Sequence, residues 1–331
     1  MKGLKRTAAL LILVAIAGFL PARAARAKED GPSPVAAITE IKDAGEGKIQ
    51  WRDAATGQWK DAGILQNLYN GNQLALTGKA EASLFFFDVK NVAKLTAETA
   101  TTKKPFVVTG KKAKDRQTEK VIKGLQAVSD GLLGREDPSE MVTLSARDPL
   151  SLFHPYLLVA PRFTRAAEAR PEFEWISDVP APVTLTVEKS RQELWRATSA
   201  EKNPRLAYPD SAATLQAGET YTVRLEAEGN EPEVTHFIYS PLKEREAQAA
   251  EEWEKSLPPG NEPTGAVVRA LAAMEGRYYD KARRILEGAR RGHPKDRTLA
   301  TLLVKIYVEQ RNGYMAYRTQ RELEELTQAK P

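Results

Sequence analysis

Between residues 35 and 109, short segments of the chain alternate apolar and polar positions. Segments of this kind lie between glycine and asparagine turns, which is typical of strands joined by hairpins in a small β-fold. Residues 85–87 are three consecutive phenylalanines, too apolar for a strand with one face in water, so we expect that strand to be covered on both faces. The predicted strands are residues 35–41, 47–52, 73–77, 82–87 and 106–109.

From residue 111 the apolar period becomes that of a helix. Val121, Leu125, Val128 and Leu132 form one stripe of an amphipathic helix near residues 111–133, whose first half is strongly basic. A helix lying on a membrane surface is one interpretation. Acidic residues interrupt the basic run, however, and no tryptophan anchors it. We therefore favour a helix that packs on the β-fold and has a solvated outer face.

A second alternating pattern covers residues 162–240, with turns at the spacing of a β-sandwich. Trp175 is predicted to be a core residue of this sandwich. The predicted strands are residues 173–176, 183–187, 194–197, 221–226 and 235–239.

Beyond Pro241 the pattern is helical. A charged helix over residues 243–257 ends at a Pro-Pro-Gly sequence, and three further helices are predicted at residues 264–288, 296–310 and 314–328. The sequence therefore predicts a multidomain protein of class β then α. Its parts are a β domain with a helix at residues 36–146, a sandwich at residues 162–240 and α-helical hairpin repeats at residues 242–331.

The N-terminus has the pattern of a signal peptide. Basic residues precede an apolar run of 13 residues, residues 8–20, and small residues follow that offer cleavage after Ala24 or Ala27. As a helix this run would rise only about 20 Å, against a hydrocarbon layer of about 30 Å, so we prefer a cleaved signal over an uncleaved anchor. We expect cleavage after Ala27, a signal peptide at residues 1–27, and a periplasmic or secreted mature chain that does not span a membrane.

Charge and cysteine content narrow the function classes. The chain has 49 basic and 44 acidic side chains, and five of the basic ones lie in the first 27 residues, so the remainder is balanced. A balanced body has no overall field to attract nucleic acid. The chain has no cysteine, which excludes disulfides, thiolate metal sites and cysteine nucleophiles.

Three short motifs characterise the first β region: residues 47–51 (GKIQW), 57–59 (GQW) and 68–74 (LYNGNQL). With the strand at residues 82–87 they resemble the periplasmic FecR-type domain, named for regulators of iron-dicitrate uptake, over roughly residues 36–109. In that family these positions are structural. The regulators also place a sigma-factor-binding segment before a spanning helix. Only a few residues precede the apolar run here, so we do not expect the signalling function.

The middle of the chain carries a second set of motifs. The middle region resembles an immunoglobulin or fibronectin type III-like module, on residues 170–175 (RPEFEW), 194–195 (LW), 208–209 (YP) and 215–221 (LQAGETY).

The helical end resembles a tetratricopeptide pair. Residues 276–282 (GRYYDKA) precede Pro294, and Ala316 follows Ala282 by 34 residues, the length of one repeat. About one and a half repeats cannot form a long superhelix. They could dock on the sandwich or cap another chain.

No catalytic constellation is evident. His154, His236 and His293 fall in separate predicted elements without metal-ligand spacing. We expect no cofactor, no metal and no enzymatic activity; an unrecognised hydrolase stays open only because the fold could bring scattered carboxylates together.

Candidate binding residues are aromatic or basic. Tyrosine and arginine are enriched at interface hot spots, and tryptophan can stack on sugars. We therefore interpret the chain as an envelope interaction or scaffolding protein, or alternatively as a carbohydrate- or cell-wall-binding protein. The candidates are Tyr278, Tyr279, Tyr314, Tyr317 and Arg318 for a protein partner, and Trp51 and Trp59 for a glycan.

Overall fold

A computed structural model describes residues 32–42, 47–53, 57–133, 155–260 and 262–328 of the protein. The predicted signal peptide, its cleavage site at Ala27, the end of the first domain at residues 134–146 and His154 lie outside the described residues. Residues from Ser33 onward form one compact unit. The strands come first and the helices follow, which confirms the predicted β-then-α class.

The first β domain has two four-stranded antiparallel sheets. Their strand orders are β4-β1-β6-β7 and β3-β2-β5-β8. Ile38, Leu74 and Leu84 are fully buried in the core of this domain. The sequence pattern did not predict β3, β4 or β7, which are very short or largely solvated. The strands are β1 (Ala36–Lys42), β2 (Ile49–Arg52), β3 (Trp59–Asp61), β4 (Asn67–Leu68), β5 (Gln73–Leu76), β6 (Glu81–Phe86), β7 (Asn91–Thr96) and β8 (Phe106–Val107).

Strand β6 is covered on both faces, as the three phenylalanines predicted. Leu84 and Phe86 face the core of the β domain. Phe85 and Phe87 point the other way, into a second core that they share with the helices. Helix α1 (Arg116–Leu133) contributes Val121 to that second core. An amphipathic helix is therefore present within residues 111–133, although it begins at Arg116. It packs chiefly on a later helix, Pro263–Glu275, and the two share the core that covers Phe85 and Phe87.

The middle region is a β-sandwich. A five-stranded sheet of order β10-β16-β15-β12-β13 faces a three-stranded sheet of order β14-β11-β9. Trp175 is fully buried in its core, as predicted. Strand β9 pairs with β11 and lies before residue 162, where the sequence pattern placed the start of the domain. The strands are β9 (Tyr156–Ala160), β10 (Thr164–Ala166), β11 (Glu172–Ser177), β12 (Val183–Lys189), β13 (Gln192–Ser199), β14 (Arg205–Ala207), β15 (Thr220–Glu226) and β16 (Glu233–Tyr239).

Five helices complete the chain. The prediction of one helix over residues 264–288 was wrong, because a turn divides it. Arg277 has a φ of 61°, and the amide of Tyr278 donates to the carbonyl of Ala273, as at a helix C-terminus. The turn contains no proline, and apolar residues continue at helical spacing on both sides of it, so the sequence pattern does not show the break. The helices are α2 (Glu244–Lys255), α3 (Pro263–Glu275), α4 (Tyr279–Gly292), α5 (Arg297–Glu309) and α6 (Gly313–Gln328).

The last four helices form two copies of one hairpin. Helices α3 and α5 begin 34 residues apart, and so do α4 and α6. The two turns also match, because Arg277 and Arg311 both have positive φ. Ala282 and Ala316 are fully buried at equivalent places. The 34-residue period read from the sequence is thus the period of the structure.

Within the described part of the chain, no helix combines the length and the apolar character needed to cross a membrane.

The double burial of β6 predicts a large cost for truncating its outward-facing side chains. Phe87→Ala removes a fully buried ring from the shared core, so we expect the free energy of unfolding to fall by about 3–5 kcal/mol. Val89→Ala, two residues on and 65% exposed, is the control and should change it by less than about 0.5 kcal/mol. Urea denaturation measures both. Equal small losses would show that the helices do not cover this sheet.

Candidate functional site

Both hairpin turns dock on the sandwich. The amide of Arg165 donates to the carbonyl of Arg277 at 2.9 Å. Arg162 donates from Nη2 to the carbonyl of Arg311 at 3.1 Å, and its other terminal nitrogen pairs with Glu233. The two turns are related by the 34-residue period and are held by neighbouring residues of one segment. Of the two arrangements that the sequence left open, the helical end therefore docks on its own chain.

A buried cluster of charges supports this docking. The Arg283 side chain on α4 is 2% exposed and forms ion pairs with Glu174 of β11 at 2.8 Å and with Glu287 at 3.0 Å. Tyr307 donates its hydroxyl to Glu287 at 2.7 Å. Burial lowers the pKa of Arg283, but the surrounding carboxylates, Asp280 foremost, outweigh burial and raise it. The cluster therefore keeps its cation, and its role is to join sandwich and helices.

Asp280 is the most buried carboxylate of the cluster. It lies 3.9 Å from Nε of Arg283 and accepts a hydrogen bond from Nε2 of Gln310 at 2.7 Å. Burial nevertheless raises the pKa of Asp280 to about 6, since removal from water disfavours the charged form more than these neighbours favour it.

A groove of about 770 Å³ lies between α1, α2 and α3. It is far larger than two other cavities in the described residues, which measure about 10 and 30 Å³. Helix α2 forms one wall and is anchored by its one buried residue, Trp253, whose Nε1 donates to Oγ1 of Thr118 on α1 at 3.1 Å. The lining residues between the helices are small: Ala249 and Ala250 on α2, and Ala272, Ala273 and Gly276 at the end of α3.

The small residues explain why the groove is open. Ala249 and Ala250 lie one turn before Trp253 on the same face of α2, which points toward α3. The tryptophan reaches the core, whereas a methyl group is too short to fill the space ahead of it. Exposed α2 residues outside this face, such as Ala247, do not line the groove.

The groove carries an excess of positive charge. Seven basic and four acidic side chains line it. Three of the acids are paired with lining bases, as Lys90 with Asp115 (3.6 Å), Arg116 with Glu246 (3.4 Å) and Lys281 with Glu254 (2.9 Å).

Three lining cations have no acidic partner in the part of the chain that the structure describes, and a fourth, Arg269, has only the nearby Glu254. Among the described residues, no carboxylate lies within ion-pair distance of Lys120, Lys243 or Arg245. Arg269 is half-buried and donates only to main-chain carbonyls, at 2.7–3.0 Å. Burial lowers the pKa of Arg269, as expected for a cation that is removed from water. Glu252 is the one lining acid outside the three pairs.

The candidate partner-binding residues are dispersed. Tyr278 lines the groove but also donates its hydroxyl to the carbonyl of Ser240 at 2.9 Å. Tyr279 is half-buried, and burial raises its pKa to about 12. Tyr314 is half-buried on α6, Tyr317 is 51% exposed, and Arg318 is exposed beside Glu322 at 3.5 Å. Only the first of these residues belongs to the groove. Their aromatic and basic character is visible in the sequence, whereas no local pattern marks the small residues that open the groove.

The two tryptophans proposed for glycan binding do not form a joint platform. Trp59 pairs across the strands with Arg52 and Trp51 with Lys60, so the two rings lie on opposite faces of the sheet. Each ring also has a cation over it, Arg52 at 4.7 Å and Lys60 at 5.7 Å.

Two of the three histidines fall within the described residues. His236 lies on β16 with one side in water and its ring against that of Phe163; this partial desolvation and the nearby Arg311 and Arg162 lower its pKa. His293 ends α4. Within the described ranges, no group of three or more histidine, aspartate and glutamate side chains is arranged to hold a metal ion.

Comparison with known proteins gives no relative: the chain matches no protein-family model and none of the curated proteins with which it was compared.

Removing the central cation should destabilise the docked helices. Arg283→Met removes the cation shared by the buried Asp280 and the half-buried Glu174 and Glu287, so the free energy of unfolding should fall by about 3–5 kcal/mol. Arg284→Met changes the neighbouring, exposed arginine and should cost less than about 0.5 kcal/mol. Chemical denaturation measures both. Similar values for the two variants would contradict a role of the cluster in holding the fold.

Asp280 predicts a pH dependence of stability. Its folded-state pKa of about 6 exceeds the ordinary 3.8, so the folded chain binds this proton more tightly than the unfolded chain does. Its contribution to the free energy of unfolding is therefore full below about pH 4 and falls, by about 3 kcal/mol in all, as the pH rises through 6. Asp280→Asn lacks this loss, so its stability relative to wild type should be higher at pH 7 than at pH 4. Urea denaturation at both values tests this; an equal difference at both would contradict it.

Proposed function

We propose that the chain is an exported, non-enzymatic interaction or scaffolding protein of the cell envelope, which holds a segment of a protein partner in the α1–α2–α3 groove. The observation that carries the proposal is the groove itself: a concave surface of about 770 Å³ with an apolar floor and polar groups around it, as binding sites have. Export rests on the basic and apolar pattern of residues 1–27.

The other concave surface of the helical hairpins is occupied. Helices α3 and α5 contact β1, and Oγ1 of Thr264 lies 3.0 Å from Oγ1 of Thr39. Helix α1 lies along α3, close enough that a Cβ at Gly124 would come within 2.9 Å of the carbonyl of Leu271. A partner therefore cannot enter between the hairpins and the sheet, whereas the α1–α2–α3 groove is open.

The module resemblances agree with this proposal. The 34-residue period and the matching turns support a tetratricopeptide-like pair, and repeats of that kind are interaction elements. The sandwich and the small two-sheet domain support the immunoglobulin-like and FecR-type resemblances in architecture. A carbohydrate- or cell-wall-binding protein is the competing function, and the separation of Trp51 and Trp59 does not favour it.

One matched pair of variants tests the proposal. Deleting the helices would uncover Phe85 and Phe87, so a single substitution is the cleaner change. Ala249→Leu fills the groove at an exposed helical position, and Ala247→Leu adds the same side chain to the same helix outside the groove. Alanine and leucine have similar helix propensity, so we expect both variants to fold like wild type, which thermal unfolding checks.

The measurement is affinity capture from detergent-solubilised envelope, read by quantitative mass spectrometry. We expect an identified protein to be retained by wild type and Ala247→Leu and to fall at least about ten-fold with Ala249→Leu, since overpacking a contact is costly. A capture in which no protein depends on the groove would overturn the proposal. Groove-dependent retention of purified wall polysaccharide would favour the competing function.

A further inference from the structure

We propose that the groove's occupant is an acidic, amphipathic segment of the partner protein. Its carboxylates would pair with the cationic rim, which is Lys120, Lys243 and Arg245. Its apolar side chains would contact the floor, which is formed by Ala249, Ala250, Ala272 and Ala273. This inference rests on the proposed function and adds the chemistry of the partner. It follows from three features of the groove: its charge, its floor and the rings that border it.

The charge selects an anionic occupant. Lys120 on α1 faces the groove from one wall, and Lys243 and Arg245 face it from the start of α2. None of these three has a carboxylate partner among the described residues. Arg269 also lines the groove, and its hydrogen-bond acceptors are main-chain carbonyls. Carboxylates placed along the groove would supply the partners that the chain itself does not, and an opposed cationic segment would be repelled.

The floor selects apolar side chains. The methyl groups of Ala249, Ala250, Ala272 and Ala273 present alkyl surface with no hydrogen-bonding group. A purely anionic polymer would leave that surface in contact with water and would gain nothing from the depth of the groove. A segment that alternates carboxylates with leucine-like side chains can form ion pairs with the rim and bury apolar surface on the floor at the same time. Amphipathic segments bind other peptide-binding grooves in this way.

The bordering rings argue against a sugar. Trp253 is only 6% exposed, and its indole nitrogen is bonded to Thr118. The hydroxyl of Tyr278 is bonded to Ser240. Sugar rings are recognised by exposed aromatic faces together with free polar groups. The aromatic side chains that line the groove are instead part of its wall.

Labelled synthetic peptides provide the probe. Three fluorescein-labelled peptides of equal length and leucine content carry glutamate, glutamine or lysine at the remaining positions, and a fourth is polyglutamate. Fluorescence anisotropy with the wild-type chain should show the tightest binding for the glutamate–leucine peptide. The glutamine and polyglutamate peptides should bind at least about ten-fold more weakly, and the lysine peptide weaker still. Binding of the first peptide should weaken as salt is raised.

Two groups of variants locate the site. Lys120→Glu combined with Lys243→Glu, and separately Ala249→Leu, should each weaken binding of the glutamate–leucine peptide at least about ten-fold. Lys123→Glu lies on the same helix, is exposed and does not line the groove, and it should change the affinity less than about two-fold. Ala247→Leu is the matching control for the floor.

The outcomes separate the two proposals. Equal binding of the glutamate and glutamine peptides, or an equal effect of Lys120→Glu and Lys123→Glu as single variants, would overturn the acidic occupant. If the peptides fail while an envelope protein is still lost with Ala249→Leu, the proposed function stands and this inference falls. If that groove-dependent protein is also absent, both fall.

Discussion

The central strands β1 and β6 of the sheet of order β4-β1-β6-β7 are buried on both faces, and the arrangement of the rest of the chain depends on that fact. One face closes the core of the first β domain. The other carries Phe85 and Phe87 and must be shielded from water, because two exposed phenylalanine rings would cost several kcal/mol of hydrophobic free energy. Helix α1 and the hairpin helices provide that cover in one continuous core. The hairpins are therefore part of the body of the protein.

The sandwich is joined to the same helices by polar contacts. The Arg283 cluster and the Arg162 hydrogen bonds place charge in the interior, which is costly unless every group has a partner. Such contacts depend on geometry more than apolar contacts do, so they fix the orientation of the hairpin turns against the sandwich. Apolar burial thus attaches the helices to the sheet, and buried charges define how the sandwich meets them.

The sequence predicted local features well and distant pairings poorly. The apolar run at residues 85–87 showed that a strand would be covered on both faces, but not which element would cover it. The spacing of Ala282 and Ala316 predicted the 34-residue period. The helix break at Arg277 could not be predicted in the same way, because apolar periodicity does not report backbone dihedral angles. Arg283 and Glu174 are 109 residues apart, and no local pattern links them. The groove could not be predicted from the sequence either. It exists because Ala249 and Ala250 have no long side chains to fill the space between helices that are distant in sequence.

The groove also shows why an overall charge says little about binding. Outside the first 27 residues the basic and acidic side chains are equal in number, yet Lys120, Lys243 and Arg245 lie around one concavity without acidic partners among the described residues. A ligand responds to charges within about 10 Å at ordinary ionic strength, so it senses this local excess and not the average. The alanines of α2 are essential to that effect. Larger side chains would fill the space between α2 and α3 and leave the same cations on a solvated surface without a concavity, where each contributes little to binding.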